Sequence, residues 1–219
     1  MRSLVLLFCF VATPALADIS GKAKLTDADT LVISGVTVRL FGIDAPELDQ
    51  MCTKADGREW ACGTWAADQA RALFKGQRLT CVPRDTDPYG RTVATCFADG
   101  VDVAETLVRR GLATAYQRYS GDYLAAEKEA ALTLTGIWQG SLMEPEAYRA
   151  AKLDARVVAN AGSAPTGCLI KGNISDRGQI YHLPGQENYD RTMINESRGE
   201  RWFCSEGEAL ASGWRKAGN

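Results

Sequence analysis

Between residues 18 and 41 apolar and polar positions alternate, in Thr30-Leu-Val-Ile and in Val36-Thr-Val-Arg-Leu-Phe, with Ser34-Gly35 between them. A period of two marks half-buried strands and Ser-Gly is turn chemistry, so the pattern predicts a hairpin. From residue 59 the period changes. Trp60, Ala61, Trp65, Ala66, Ala70 and Phe74 recur at helical spacing and predict a helix over 59–74. Alternation returns over 77–83 and 91–97, on either side of Asp87-Pro88-Tyr89-Gly90, a second hairpin about a tight turn. Asp102 caps a short helix through Leu107 and Val108 that Gly111 stops, and 122–134 predicts another, ended by Gly136. Strands first, with helices between and after them, predict an α+β chain built on a small closed barrel.

Composition shifts after residue 150. Residues 150–164 are small and polar, and Asn160-Ala-Gly-Ser-Ala-Pro-Thr-Gly reads as a linker. Beyond it, residues 168–219 hold their own aromatics, Tyr181, Tyr189, Trp202, Phe203 and Trp214, as a compact second unit would. At the other end, Arg2 precedes the apolar residues 4–11, and Ala15-Leu16-Ala17 supplies a small-x-small cleavage site. The run is too short to stay in a bilayer, so residues 1–17 read as a cleavable export signal with no membrane span left after cleavage. The expected domains are thus 1–17, a leader; 18–142, the barrel; 143–166, a helix and linker; and 167–219, a small module.

Six of the seven cysteines lie beyond the leader: Cys52, Cys62, Cys81, Cys96, Cys168 and Cys204. An even number in an exported chain points to disulfides. Cys81 and Cys96 stand at equal distances from the Asp87–Gly90 turn, which sets them opposite one another. Cys52 and Cys62 then close a polar loop, and Cys168 is left for Cys204. No Cys-x-x-Cys occurs, which argues against a zinc ribbon or a thioredoxin-type site. The expected location is periplasmic or extracellular.

Formal charge is −2, or −3 without Arg2, so the chain is no polycation that grips nucleic acid by counterion release alone. The single histidine, His182, lies in the second unit, which excludes two-histidine and Ser-His-Asp chemistries in the first. What remains is carboxylates and arginines. Asp27 and Asp29 flank Ala28 at a strand start, so in an extended chain they project to one face. Arg39, Asp44 and Glu47 fall in Val38-Arg-Leu-Phe-Gly-Ile-Asp-Ala-Pro-Glu47, where a strand breaks at Gly42. Arg91 follows Tyr89-Gly90. Aspartates suit a hard cation such as Ca²⁺, arginines fork onto phosphate oxygens, and a glutamate beside them can take a proton from water. Each piece alone has an ordinary reading: turn-forming aspartates, a solvated strand arginine, a helix cap. Their co-occurrence is what points to a site.

The order Asp27-Ala-Asp-Thr30, then Val38 to Glu47, then Asp87-Pro-Tyr-Gly-Arg91 resembles staphylococcal nuclease and its relatives. Leu107-Val-Arg-Arg-Gly-Leu-Ala113 and Tyr123…Glu127…Gly136-Ile-Trp138 continue the likeness, over about residues 20–142. The resemblance implies a five-stranded oligonucleotide-binding (OB) barrel with three helices. It implies a Ca²⁺-dependent endonuclease acting on DNA or RNA with little sequence preference and leaving a 3′-phosphate. Asp29, Asp44 and the Ala45 carbonyl would hold Ca²⁺, with Asp27 in support. Glu47 would orient or deprotonate the attacking water, and Arg39 and Arg91 would grip the phosphate. Tyr89 and Tyr116 match nucleotide-contacting tyrosines, while Tyr119 aligns ambiguously. Ala28 departs from the family's usual glycine, a position where positive φ or a close backbone approach would matter.

Residues 168–219 resemble a small module that follows such domains in some bacteria, through Lys171-Gly-Asn-Ile-Ser, Ile180-Tyr-His-Leu-Pro-Gly185 and Gly199-Glu-Arg-Trp-Phe-Cys-Ser-Glu206. Its seven basic residues are matched by seven acidic ones, so it is no evident nucleic-acid arm, and His182 reads as structural. The expected protein is a monomer with nucleic acid as its partner. The competing reading is a catalytically silent envelope protein that keeps the barrel as a binding platform, which loss of a site carboxylate or arginine would favour.

Overall fold

The computed structural model describes residues 18–218. The leader predicted over 1–17, with Cys9, lies outside them. The chain forms two compact units that divide between Glu146 and Ala147.

In the first unit, strands β1 (Ile19–Leu25), β2 (Thr30–Ile33) and β3 (Val36–Leu40) form a meander whose tightest turn is Ser34-Gly35, both residues at positive φ. Helix α1 (Cys62–Phe74) leads to β4 (Arg78–Thr86) and β5 (Thr92–Ala98). The sheet runs β3-β2-β1-β4-β5, with the two-residue strand Val101–Asp102 on β5. Parallel pairing of β3 with β5, from Val38↔Thr92 to Leu40↔Ala94, closes it into a five-stranded OB barrel. Leu31, Ile33, Val38, Leu40 and Leu79 fill the interior, sealed by Ala66, Ala70 and Phe74 of α1. Helices α2 (Val103–Arg109), capped by the Asp102 carboxylate on the Glu105 N–H at 3.1 Å, and α3 (Leu124–Leu132) complete the unit.

The helix predicted over 59–74 starts only at Cys62. Glu59–Trp60 is instead a strand paired with Cys52–Lys54, and the Cys52–Cys62 disulfide holds that hairpin against the helix start. Trp60 and Trp65, read as one helical face, meet edge to face at 5.3 Å in a satellite cluster with Ile137 and Trp138. Helical spacing and a hairpin leading into a helix place the two tryptophans equally well, and the disulfide selects the second.

Cys81 and Cys96 are directly opposed in β4 and β5, bonded, and fully buried. Fifteen residues separate them in sequence. Closing a loop of that size stabilises by about 3 kcal/mol in the chain-entropy model. The double variant Cys81→Ala/Cys96→Ala is therefore expected to unfold at lower denaturant by about that free energy, with turnover unchanged while folded. An unchanged midpoint in urea titration would show that the bridge adds no stability.

Helix α4 spans Pro145–Gly162, so part of the stretch read as linker is helical. In the second unit, β6 (Ile170–Ser175) pairs with β7 (Gly178–His182) and β8 (Arg201–Phe203), and α5 (Glu206–Ala211) follows. Ile170, Tyr181, Phe203, Ala209 and Trp214 form its core, and Cys168 bonds Cys204. His182 is buried, with Nε2 3.1 Å from Asn173 Oδ1. Burial, and then the Lys171 charge, hold its pKa below the usual imidazole value, which suits a structural histidine. No helix among the described residues is long and apolar enough to cross a membrane.

Candidate active site

After β1 the chain turns on Asp27, whose Oδ1 accepts the N–H groups of Asp29 at 3.0 Å and Thr30 at 2.7 Å. This Asx turn, rather than an extended strand, brings both aspartates to one cleft. Asp29 is buried at the start of β2. Its Oδ1 accepts the Thr30 hydroxyl at 2.8 Å, and its Oδ2 accepts the Ala45 N–H at 3.1 Å. Register between β2 and β3 sets Thr30 opposite Arg39, which carries the guanidinium to the same place. Beyond β3 the chain breaks at Gly42, where φ is +74°. Ile43–Asp44 then pairs with Thr114–Ala115, and the Asp44 carbonyl accepts the Thr114 hydroxyl at 3.0 Å.

These constraints converge on one atom. Arg39 Nη2 lies 3.0 Å from Asp29 Oδ2 and 2.7 Å from Asp44 Oδ1. Burial, the largest influence, pushes the Asp29 pKa above the usual carboxylate value and the Asp27 charge adds to it, while Arg39 opposes both. Two buried carboxylate oxygens aimed at one cationic nitrogen form a pair that a hard dication can share, with carbonyls and water completing its shell. No cluster of three or more histidine, cysteine or acidic side chains suited to a metal occurs among the described residues; the convergent donors here are two carboxylates. Ala28 is buried and lies outside the positive-φ residues, so its methyl group carries no left-handed strain.

Arg91 enters from the other hairpin. Asp87 organises that turn: its Oδ1 accepts the Tyr89 and Arg91 N–H groups, both at 2.9 Å, and its Oδ2 accepts Arg91 Nε at 2.6 Å. Burial raises the Asp87 pKa, but the hydrogen bonds from Arg91 and Tyr89 outweigh it and leave the carboxyl below its usual value. Held by Nε, Arg91 lines the same cleft as Asp29 and Arg39. Tyr89 is 85% exposed at the turn tip, its ring 5.5 Å from the Arg91 guanidinium.

A cleft of about 220 Å³ is lined by Asp27, Asp29, Arg39, Ala45, Glu47 and Arg91 among others, while Asp44 lies buried behind it, in contact with Arg39. Tyr89 and Tyr116 do not line it. Tyr116 donates its N–H to the Gly42 carbonyl at 2.8 Å, and burial, then the Glu146 charge, raise its phenol pKa. Tyr119 is exposed, with its ring 5.1 Å from that of Tyr116. Sequence reasoning gave no role to two side chains that hold residues of the cleft from outside it, Asp87 on Arg91 and Gln50 on the Glu47 main chain. The signals were present as spacing: Asp87 four residues before Arg91, and Gln50 three residues after Glu47, each a distance that a turn closes.

Barrel and cleft together define an OB-fold protein with a pocket lined by carboxylates and arginines. Residues 37–140 match the family described as staphylococcal nuclease homologue. The chain is 37% identical over 142 residues to "Succinoglycan biosynthesis protein ExoI" of Rhizobium meliloti (strain 1021), a match covering 64% of this chain and 73% of that protein. It is 31% identical over 142 residues to an "Uncharacterized endonuclease" of Escherichia coli O157:H7, covering 61% and 86%. A further "Uncharacterized endonuclease", from Haemophilus influenzae, is 29% identical over 134 residues, covering 58% and 70%. The chain belongs to the staphylococcal nuclease family.

Proposed function

We propose that this protein is an exported, Ca²⁺-dependent endonuclease that hydrolyses phosphodiester bonds of DNA or RNA with little sequence preference. The observation that carries the proposal is the convergence of Asp29 and Asp44 on Arg39, which with Asp29, Glu47 and Arg91 lines one cleft. Asp29, Asp44 and the Ala45 carbonyl would hold Ca²⁺, with Asp27 fixing the turn that presents Asp29. When bound, the ion supplies positive charge against the phosphate oxygens.

The chain's own residues then divide the work. Arg39 and Arg91 fork onto the non-bridging oxygens and meet the charge that grows as water attacks phosphorus. Glu47 takes a proton from that water. A new P–O bond forms, the P–O5′ bond breaks, and the departing 5′ oxygen is protonated, leaving a 3′-phosphate and a 5′-hydroxyl. Every charged member of the set is present, which favours hydrolysis over a silent binding platform. The three disulfides among the described residues agree with an oxidising destination and hence with export. Incubated with end-labelled DNA and RNA in Ca²⁺, the protein is expected to cut within both strands and leave 3′-phosphate ends. Bound but intact oligonucleotide would instead establish the silent platform.

A further inference from the structure

Gln50 is the most deeply buried polar side chain near the cleft, at 0% exposure. It completes a closed turn with Glu47. Gln50 N–H donates to the Glu47 carbonyl at 2.8 Å, and Glu47 N–H donates to Gln50 Oε1 at 3.1 Å. At its other end Gln50 Nε2 donates to the Met143 carbonyl at 2.6 Å, 93 residues away in sequence. The partners fix the amide orientation, since reversing it would set donor against donor and acceptor against acceptor.

The turn is held from two further directions. The first turn of α1 donates into it: Gly63 N–H to the Gln50 carbonyl at 3.2 Å, and Thr64 Oγ1 to the Leu48 carbonyl at 2.8 Å. A Cβ at Gly63 would stand 1.7 Å from the Glu47 carbonyl oxygen, so only glycine permits this approach. Two residues past Gln50, the Cys52–Cys62 bond ties the exit of the turn to the residue that begins α1. Met143 belongs to the strap after Gly140–Ser141, which itself pairs with Cys52–Lys54.

The geometry points to Gln50 as a positioning residue for Glu47, a clamp that fixes from inside the protein the main chain from which the proton-accepting carboxylate projects, with the Cys52–Cys62 bond tying down the exit of the turn. This rests on the reading of Glu47 as the base. A group that acts through geometry affects the chemical step more than substrate affinity, and misplacement by about 1 Å costs up to about 10²-fold in rate.

The test uses the full chain on a short oligonucleotide in Ca²⁺, with kcat, KM and melting temperature measured for Gln50→Met, Gln50→Glu, Gln50→Asn, Glu47→Gln and the double variant Gln50→Met/Glu47→Gln. Gln50→Met is expected to lower kcat by about 10- to 100-fold with KM within about threefold. Gln50→Glu, which burial keeps neutral, retains an oxygen for the Glu47 N–H and a donor for the Met143 carbonyl and is expected to recover part of that loss, and Gln50→Asn, which keeps the amide, decides the matter if Gln50→Met does not fold. In the Glu47→Gln background, Gln50→Met is expected to add less than about twofold, because the carboxylate it positions is gone. Wild-type kcat in folded Gln50→Met and Gln50→Glu, or losses that multiply in the double variant, would overturn the clamp while leaving Glu47 as base. Wild-type kcat in Glu47→Gln would overturn the base assignment and the inference together.

Discussion

Arg39→Ala and Arg91→Ala are each expected to reduce turnover by about 10²–10³-fold, the cost of removing one preorganised donor from developing charge. That factor is about 2.7–4 kcal/mol of transition-state stabilisation. The two differ in what else they disturb. The Arg91 side chain is 29% exposed and held by Asp87 on a surface hairpin, so its loss leaves the barrel intact. The Arg39 side chain is 17% exposed and contacts two carboxylates that are almost wholly buried. Removing it takes a positive neighbour from both, and uncoupling a buried pair costs roughly 3–5 kcal/mol. Arg39→Ala is therefore expected to melt below the wild type, and Arg91→Ala near it. Arg39→Lys is not expected to restore turnover, because an ammonium cannot serve carboxylates and phosphate with a planar fork. Melting curves beside single-turnover rates check both statements. Near wild-type rates in either folded alanine variant would place the phosphate site elsewhere.

Chelation is the second large effect. Excess EGTA is expected to abolish cleavage and added Ca²⁺ to restore it, because the two convergent carboxylates leave net negative charge beside one arginine. Ca²⁺ is also expected to raise the melting temperature without substrate. A ligand at one hundred times its dissociation constant stabilises the folded state by about 2.7 kcal/mol. Asp29→Ala should lose that thermal shift together with turnover. Arg39→Ala should keep it, since removing a positive neighbour favours the cation, and this separates metal binding from phosphate recognition. Undiminished cleavage in EGTA, or a thermal shift that survives in Asp29→Ala, would remove the metal from this position.

Much of the site was legible in the chain because its parts lie on short, strongly patterned segments. Asp87-Pro-Tyr-Gly declares a turn by composition, and once that turn is set, Cys81 meets Cys96 and Arg91 emerges from the hairpin. The Asp27–Asp29 pair was legible by residue type but not by conformation: an extended strand was expected, and an Asx turn is found. The turn succeeds because both following N–H groups point back at one carboxylate oxygen, an arrangement that alternation cannot reveal. Gln50 was invisible for a different reason. A glutamine in a polar loop reads as solvated until the strap carrying Met143 is seen to bury it.

The sequence by itself determined the strand and helix periods, the turn chemistry, the pairing of cysteines and the inventory of carboxylates and arginines. These depend on local preference and residue type, which a linear chain displays directly. Tertiary structure alone decided that β3 closes on β5, that Glu59–Trp60 pairs as a strand before the helix, and that Asp29 and Asp44 share one guanidinium nitrogen. Each joins residues through register and packing. Burial then turns a pair of ordinary aspartates and an arginine into interacting charges, and no residue shows its burial in the sequence.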